Sequence, residues 1–271
     1  PGDRDALLFA ATAHDRLADL LRNSGKVDES LDEYLLARQQ RERVVSLRRG
    51  QDDRDAVYAL STSHARLGTV HEARGDSAAA LAEYRAAARQ RDSLLEAEPD
   101  NVEWQAGMVQ VQSEMGALLR DLGDLTAAIA TYQETLPLTE ALIRRDPSNT
   151  AWKRDRGNLL ADFGFSLLAA GNYQDALARF EQAIDNHQDL IAIDPENTAW
   201  TADASRFSTR AGDALLYLGR MDDALARFEE ARALRTALSA RDPKNVPWKR
   251  SLAWAHAKLA VFHTMNGAPE R

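Results

Sequence analysis

The 271-residue sequence contains no cysteine. That removes disulfides, thiolate metal sites and cysteine nucleophiles together. It also lacks any stretch close to the roughly 18 uninterrupted apolar residues that a membrane-spanning helix needs, and its start shows no signal-peptide pattern. A cytoplasmic protein without membrane insertion is the expectation. Basic residues are in deficit, 34 against 42 acidic ones, for a formal net charge of -8. Such a surplus repels phosphate backbones, so nucleic acid is not an expected partner. No GxGxxG or GxxxxGK run is present to cradle a nucleotide phosphate, and no cofactor is expected. The first residue is proline, not methionine, which suggests a segment of a longer protein.

What is present is a repeat. Trp104, Trp152, Trp200 and Trp248 stand 48 residues apart, and so do Gly75, Gly123, Gly171, Gly219 and Gly267, while Gly25 precedes Gly75 by 50. Seven residues before each of these glycines lies a small residue: Ala18, Gly68, Gly116, Gly164, Gly212 and Ala260. After the turn glycine come Ala80 and Tyr84, Ala128 and Tyr132, Ala176 and Phe180, Ala224 and Phe228, with Ser30 and Tyr34 in the first unit. A fixed period of this size is the mark of a repeat array.

Each unit resolves into two helices. Leu159, Leu160, Phe163, Leu167 and Leu168 recur at spacings of three and four, which aligns them on one helix face. Gly171 closes that helix, and Asn172, like Asp76 and Asp124, is placed to cap the next. In "IDPENTAW" Pro195 biases Asp194 out of helical geometry, Asn197 caps the following helix, and Trp200 is placed to pack across the linker. A fully buried Trp stabilises by at most about 5 kcal/mol. Pro137 falls inside a second helix and predicts a kink or break there. The first linker has Gln51 and Ala56 where the others have Pro and Trp, which predicts the least well fastened junction.

The stretches "FGFSLLAAGNYQDALARFEQAI" (residues 163–184), "AGDALLYLGRMDDALARFEEA" and "MGALLRDLGDLTAAIATYQET" resemble the tetratricopeptide repeat at its small and aromatic positions, and the resemblance covers nearly the whole chain. The unit of that family has 34 residues against 48 here. The excess is seven residues per helix, two turns and about 10 Å, so the buried face is not rotated. The resemblance implies an all-α, right-handed α-solenoid of antiparallel helix hairpins, five pairs plus a capping helix, forming one domain over 1–271. Its units are approximately 1–50, 51–98, 99–146, 147–194 and 195–242, with the capping helix at 243–267.

The chemistry-bearing residues point away from catalysis. His14, His64 and His256 occupy the same place in three units and cannot converge on a metal; the carboxylates are scattered, and no nucleophile sits beside a base. We expect no enzyme, no metal and no catalytic residue. The resemblance implies a concave face lined by first-helix residues, which places Asn158, Phe165, Leu168, Arg206, Thr209, Asp213 and Tyr217 in a groove for a partner's peptide or helix. Thr12, Asp15, Asp19, Arg22, Thr62, Thr69, Glu72, Gln110, Ser113 and Arg120 make its first half polar and acid-rich. A non-enzymatic protein-interaction scaffold is the leading reading. Beside it stands a regulatory or sensor region of a larger multidomain signalling protein of kinase, cyclase or NTPase type; self-association into a homo-oligomer also remains open.

Overall fold

The computed structural model describes residues 2–47, 53–265 and 267. Among them are eleven α-helices and no strand. Two compact units divide the chain, Pro1–Leu138 and Thr139–Arg271. The first holds α1 (Gly2–Asn23), α2 (Val27–Ser46), α3 (Arg54–Ala73), α4 (Ser77–Ala97), α5 (Val102–Asp121) and most of α6 (Leu125–Arg145). The second holds the end of α6, α7 (Thr150–Ala169), α8 (Tyr173–Ile193), α9 (Thr198–Tyr217), α10 (Met221–Arg241) and α11 (Val246–Met265). In the first unit α1 to α5 pack each on the next in chain order, and in the second α7 to α11 do the same. This sequential stacking of helix hairpins is the α-solenoid arrangement.

The punctuation follows from local chemistry. Gly25, Gly75, Gly123, Gly171 and Gly219 all adopt positive φ, between 73° and 83°, where a side chain would clash. At Gly75 the helix end is sealed by paired bonds, Gly75 N–H to Glu72 O and Asp76 N–H to His71 O, both 2.8 Å, which satisfies carbonyls the helix leaves open. Asn101, Asn149, Asn197 and Asn245 each accept the amide N–H of the Trp three residues on, at 3.1–3.4 Å. Asp76 and Asp124 cap α4 and α6 through Ala79 and Ala127. Asn172 makes no such bond, contrary to expectation.

Facing helices touch through the small residues. A Cβ added at Gly116, Gly164 or Gly212 would lie 2.7, 2.8 or 2.5 Å from the ring of Tyr132, Phe180 or Phe228; the glycine therefore lets the aromatic ring rest against backbone. These rings are buried, each stabilising by about 2–3 kcal/mol. Trp104 and Trp200 are buried and Trp152 and Trp248 half-buried, with Trp104 against Tyr58 at 6.5 Å between ring centres. Pro137 does not break its helix: α6 runs unbroken through it, because one missing hydrogen bond leaves the ladder on either side intact. The boundary between the two compact units nevertheless falls one residue beyond it. At the first junction Asp53 caps α3 through Ala56 N–H at 3.1 Å, and Ala56 is buried; Gln51 and Pro1 lie outside the described residues.

The added length of each second helix buries a polar layer that periodicity alone does not announce. Seven residues past the aromatic stand Arg41, Arg91, Thr139, His187 and Arg235, all buried. Arg41 donates to Ser63 Oγ and to Asp15, each at 2.5 Å. Arg91 donates from Nε to Ser61 Oγ at 3.0 Å, from Nη1 to the carbonyl of Gly107, and stacks over Tyr58 at 5.3 Å. A guanidinium withdrawn from water is tolerated only when its N–H groups find acceptors.

Candidate binding cleft

In the first unit several of the residues expected to line the groove are tied up by the fold itself, while Thr12 is exposed on a cleft of about 580 Å³ along α1. Asp15 is buried between Arg41 and Arg66, the latter at 2.7 Å. The phenol of Tyr34 donates to Asp19 and that of Tyr84 to Glu72. Glu114 is half-buried and takes a 3.2 Å bond from Gln110, while its other carboxylate oxygen is enclosed without a partner. Burial, followed by the charge of Glu72, pushes its carboxyl up to about 7; the Gln110 bond, Arg91 and Arg22 pull the other way. His64 sits 2.6 Å from Glu83 and His14 2.6 Å from Glu33, which gives two of the repeated histidines structural partners. No group of three or more potential metal ligands exists among the described residues.

The second unit is different. Phe165, Leu168 and Ala169 of α7, Tyr173 at the start of α8, Arg210, Asp213, Leu216 and Tyr217 of α9, Met221 of α10, and Lys258 and Phe262 of α11 enclose a cleft of about 830 Å³. Tyr217 is 64% exposed and stacks on Tyr173, the ring centres 4.5 Å apart and the planes 9° from parallel. Phe165 meets Phe180 edge to face at 5.3 Å, and the Arg210 guanidinium covers it at 5.3 Å. At the floor Asp213 is only 8% exposed. Arg210 holds one of its oxygens at 3.1 Å, and Lys258 Nζ lies 2.6 Å from the other, ion-paired though off hydrogen-bond alignment. Two cations on one carboxylate leave the cleft one net positive charge among aromatic and aliphatic side chains.

Of the residues expected in the groove, this cleft brings together Phe165, Leu168, Asp213 and Tyr217. Thr209 is instead buried and accepts from Arg235 at 3.0 Å, so it offers nothing to a partner. Arg206 is exposed and pairs with Asp203 at 2.9 Å, on the wall of a separate, smaller cleft. Asn158 is half-buried and lines neither. Tyr173, Arg210, Met221 and Lys258 were not reached by counting inner positions. Arg210 and Lys258 share one register, each two residues before the small residue of its helix; this was the available signal.

Residues 162–226 match the family model of the tetratricopeptide repeat. No curated protein sequence matches the chain. Among solved structures it is similar to BtubC (BKLC) from P. vanneervenii, with 16% identity and a TM-score of 0.66 over 88% of this chain and 91% of that one. It is also similar to the nearly identical TPR-like repeats of a putative kinesin light chain from Podosopora anserina, 14% identical, TM-score 0.59, covering 84% and 95% of the two chains. A third is aspartyl phosphate phosphatase F from Bacillus subtilis, 12% identical, TM-score 0.66, covering 93% of this chain and 56% of that one. At these identities the likeness speaks for the fold alone. No helix among the described residues is long and apolar enough to cross a membrane.

Proposed function

We propose that this chain, a carrier of tetratricopeptide repeats, is a protein-interaction scaffold whose second unit grips an apolar peptide or helix segment of a partner protein. The repeat is in general a non-catalytic interaction module. The observation that carries the reading is the 830 Å³ cleft with Tyr217 standing largely in solvent on its rim. An exposed aromatic stacked on a second one is already held in place, so little entropy is lost when a partner covers it. Phe165, Leu168 and Met221 supply the apolar walls, and the unbalanced charge of Arg210 and Lys258 over Asp213 favours an acidic residue beside the partner's apolar anchor.

A photo-crosslinking residue placed at Leu216, followed by mass spectrometry of the captured peptide, identifies the segment. Tyr217→Ala is expected to weaken its binding about tenfold, the loss of one aromatic anchor, while the thermal midpoint falls only slightly, because Tyr217 is mostly exposed and loses only its stacking on Tyr173. Equal binding by Tyr217→Ala, Phe165→Ala and the parent chain would overturn the assignment of this cleft.

A further inference from the structure

A second cleft in the same unit, of about 300 Å³, lies among α9, α10 and α11 and is lined by Ala202, Asp203, Ser205, Arg206, Arg235, Leu238, Trp248 and Ser251. We propose that it is a binding site for a small oxyanion, phosphate or carboxylate, held between the guanidinium groups of Arg235 and Arg206. The inference is independent of the peptide cleft.

The 144-residue offset between the two units, three repeat lengths, shows what is unusual here. Arg235 corresponds to Arg91, Ser205 to Ser61 and Trp248 to Trp104. In the first unit Arg91 is satisfied on every side: Ser61 takes its Nε, the Gly107 carbonyl its Nη1, and Tyr58 covers its face. In the second unit Ser205 and Thr209 accept from Nε and Nη2 of Arg235 at 3.3 and 3.0 Å, and Trp254 covers one face at 5.0 Å. Nη1 has no partner, although Arg235 is only 6% exposed. Three replacements account for this. Ala202 stands where Tyr58 fills the space in the first unit, Ser251 where Gly107, at which an added Cβ would lie 3.2 Å from the Arg91 guanidinium carbon, lets its carbonyl approach, and Arg206 where the neutral Thr62 accepts from Arg91.

The result is a buried cation with no carboxylate partner among the described residues, facing a cleft whose mouth carries a second cation. Desolvation, and then the charge of Arg210, depress the Arg235 guanidinium. Asp203 is the one acid on the wall, and it is engaged: Arg206 holds it at 2.9 Å, and the His187 ring lies 3.8 Å away. Arg206 and Arg235 against Asp203 leave one positive charge uncompensated. Ser251 brings a hydroxyl group to the same wall, whereas that of Ser205 is spent, donating to the Ala202 carbonyl at 2.8 Å. An oxyanion between two guanidiniums supplies the acceptor that Nη1 lacks.

The test is a titration of the purified chain with inorganic phosphate and, separately, with acetate, against chloride at equal ionic strength. The Trp248 indole N–H and Arg235 Nε–H resonances are the readout. Saturable shifts are expected with at least one of the two anions; which one saturates at the lower concentration distinguishes a phosphoryl from a carboxylate ligand. Ala202→Tyr restores the filled arrangement of the first unit and is expected to lower affinity by at least about tenfold, Arg206→Ala by about fivefold. Tyr217→Ala, in the peptide cleft, is expected to leave it unchanged. No saturable shift with either anion would overturn the proposal, and so would equal affinity in the parent and in folded Ala202→Tyr. Should Ala202→Tyr not fold, unaltered affinity in Arg206→Ala combined with Ser251→Ala overturns it equally.

Discussion

Glu114 gives the first unit a pH dependence of a particular sign. Its carboxyl titrates near 7 in the folded chain against 4.5 for the free side chain, with burial as the largest cause. The folded state therefore holds this proton more tightly than the unfolded chain does. The contribution to stability is fully present below about pH 4.5, declines as the pH rises, and is lost once it has passed through 7. The shift corresponds to about 3 kcal/mol at most. Glu114→Gln keeps an amide oxygen for Gln110 and removes the ionisation. At pH 8.5 the variant is expected to be more stable than the parent by up to about 3 kcal/mol, while near pH 4.5 the two are close. Because the difference between variant and parent is what is read, titration of the other carboxylates cancels. Urea unfolding at a series of pH values, with hydrogen exchange of the α5 amides to localise the effect, measures it. A difference that does not vary between pH 4.5 and 8.5, or one that grows toward acid, would refute the reasoning.

Two further perturbations read the repeat chemistry. Gly212→Val drives a branched side chain into the Phe228 ring, which a bare Cβ already meets at 2.5 Å; a loss of about 2–4 kcal/mol by chemical denaturation is expected. Gly212→Ala adds only that Cβ, which still forces the ring to shift, and is expected to cost less, about 1–2 kcal/mol; the first hairpin makes such an adjustment, with Ala18 fully buried beside Tyr34. Asn197→Ala removes the bond to Trp200 N–H and is expected to lower stability by about 1 kcal/mol, seen as a reduced urea midpoint with unchanged slope.

The hairpins were legible because their punctuation is chemically constrained. Only glycine takes the positive φ at each turn without strain, only a few side chains cap a helix, and a ring resting on backbone requires a residue without a side chain at Gly116, Gly164 and Gly212. The clefts were much less legible. Inner-face counting reached Phe165 and Leu168 but not Lys258, because the spacing of one helix does not say which side chains of its neighbours converge on it. Thr209 was placed in the groove by the same counting, and its burial follows from Arg235, whose guanidinium needed an acceptor on α9. At Pro137 the sequence predicts a kink or a break, and the break does not occur: the helix continues through the missing bond.

The arginines mark where the longer unit departs most from a simple stack. An apolar layer slides at little cost, since one aliphatic contact replaces another. A buried guanidinium does not slide: Arg91 has its acceptors on α3 and α5 at once, and displacing either helix by one residue would strand an N–H in an interior without water. Seven extra residues per helix therefore add area and also a fixed point at which three helices are held in register. In the first unit that point is closed by Tyr58 and the Gly107 carbonyl. In the second, small and charged replacements leave it open on one side, so the device that fixes the stacking in one unit becomes a cavity with an unmet hydrogen-bond donor in the other.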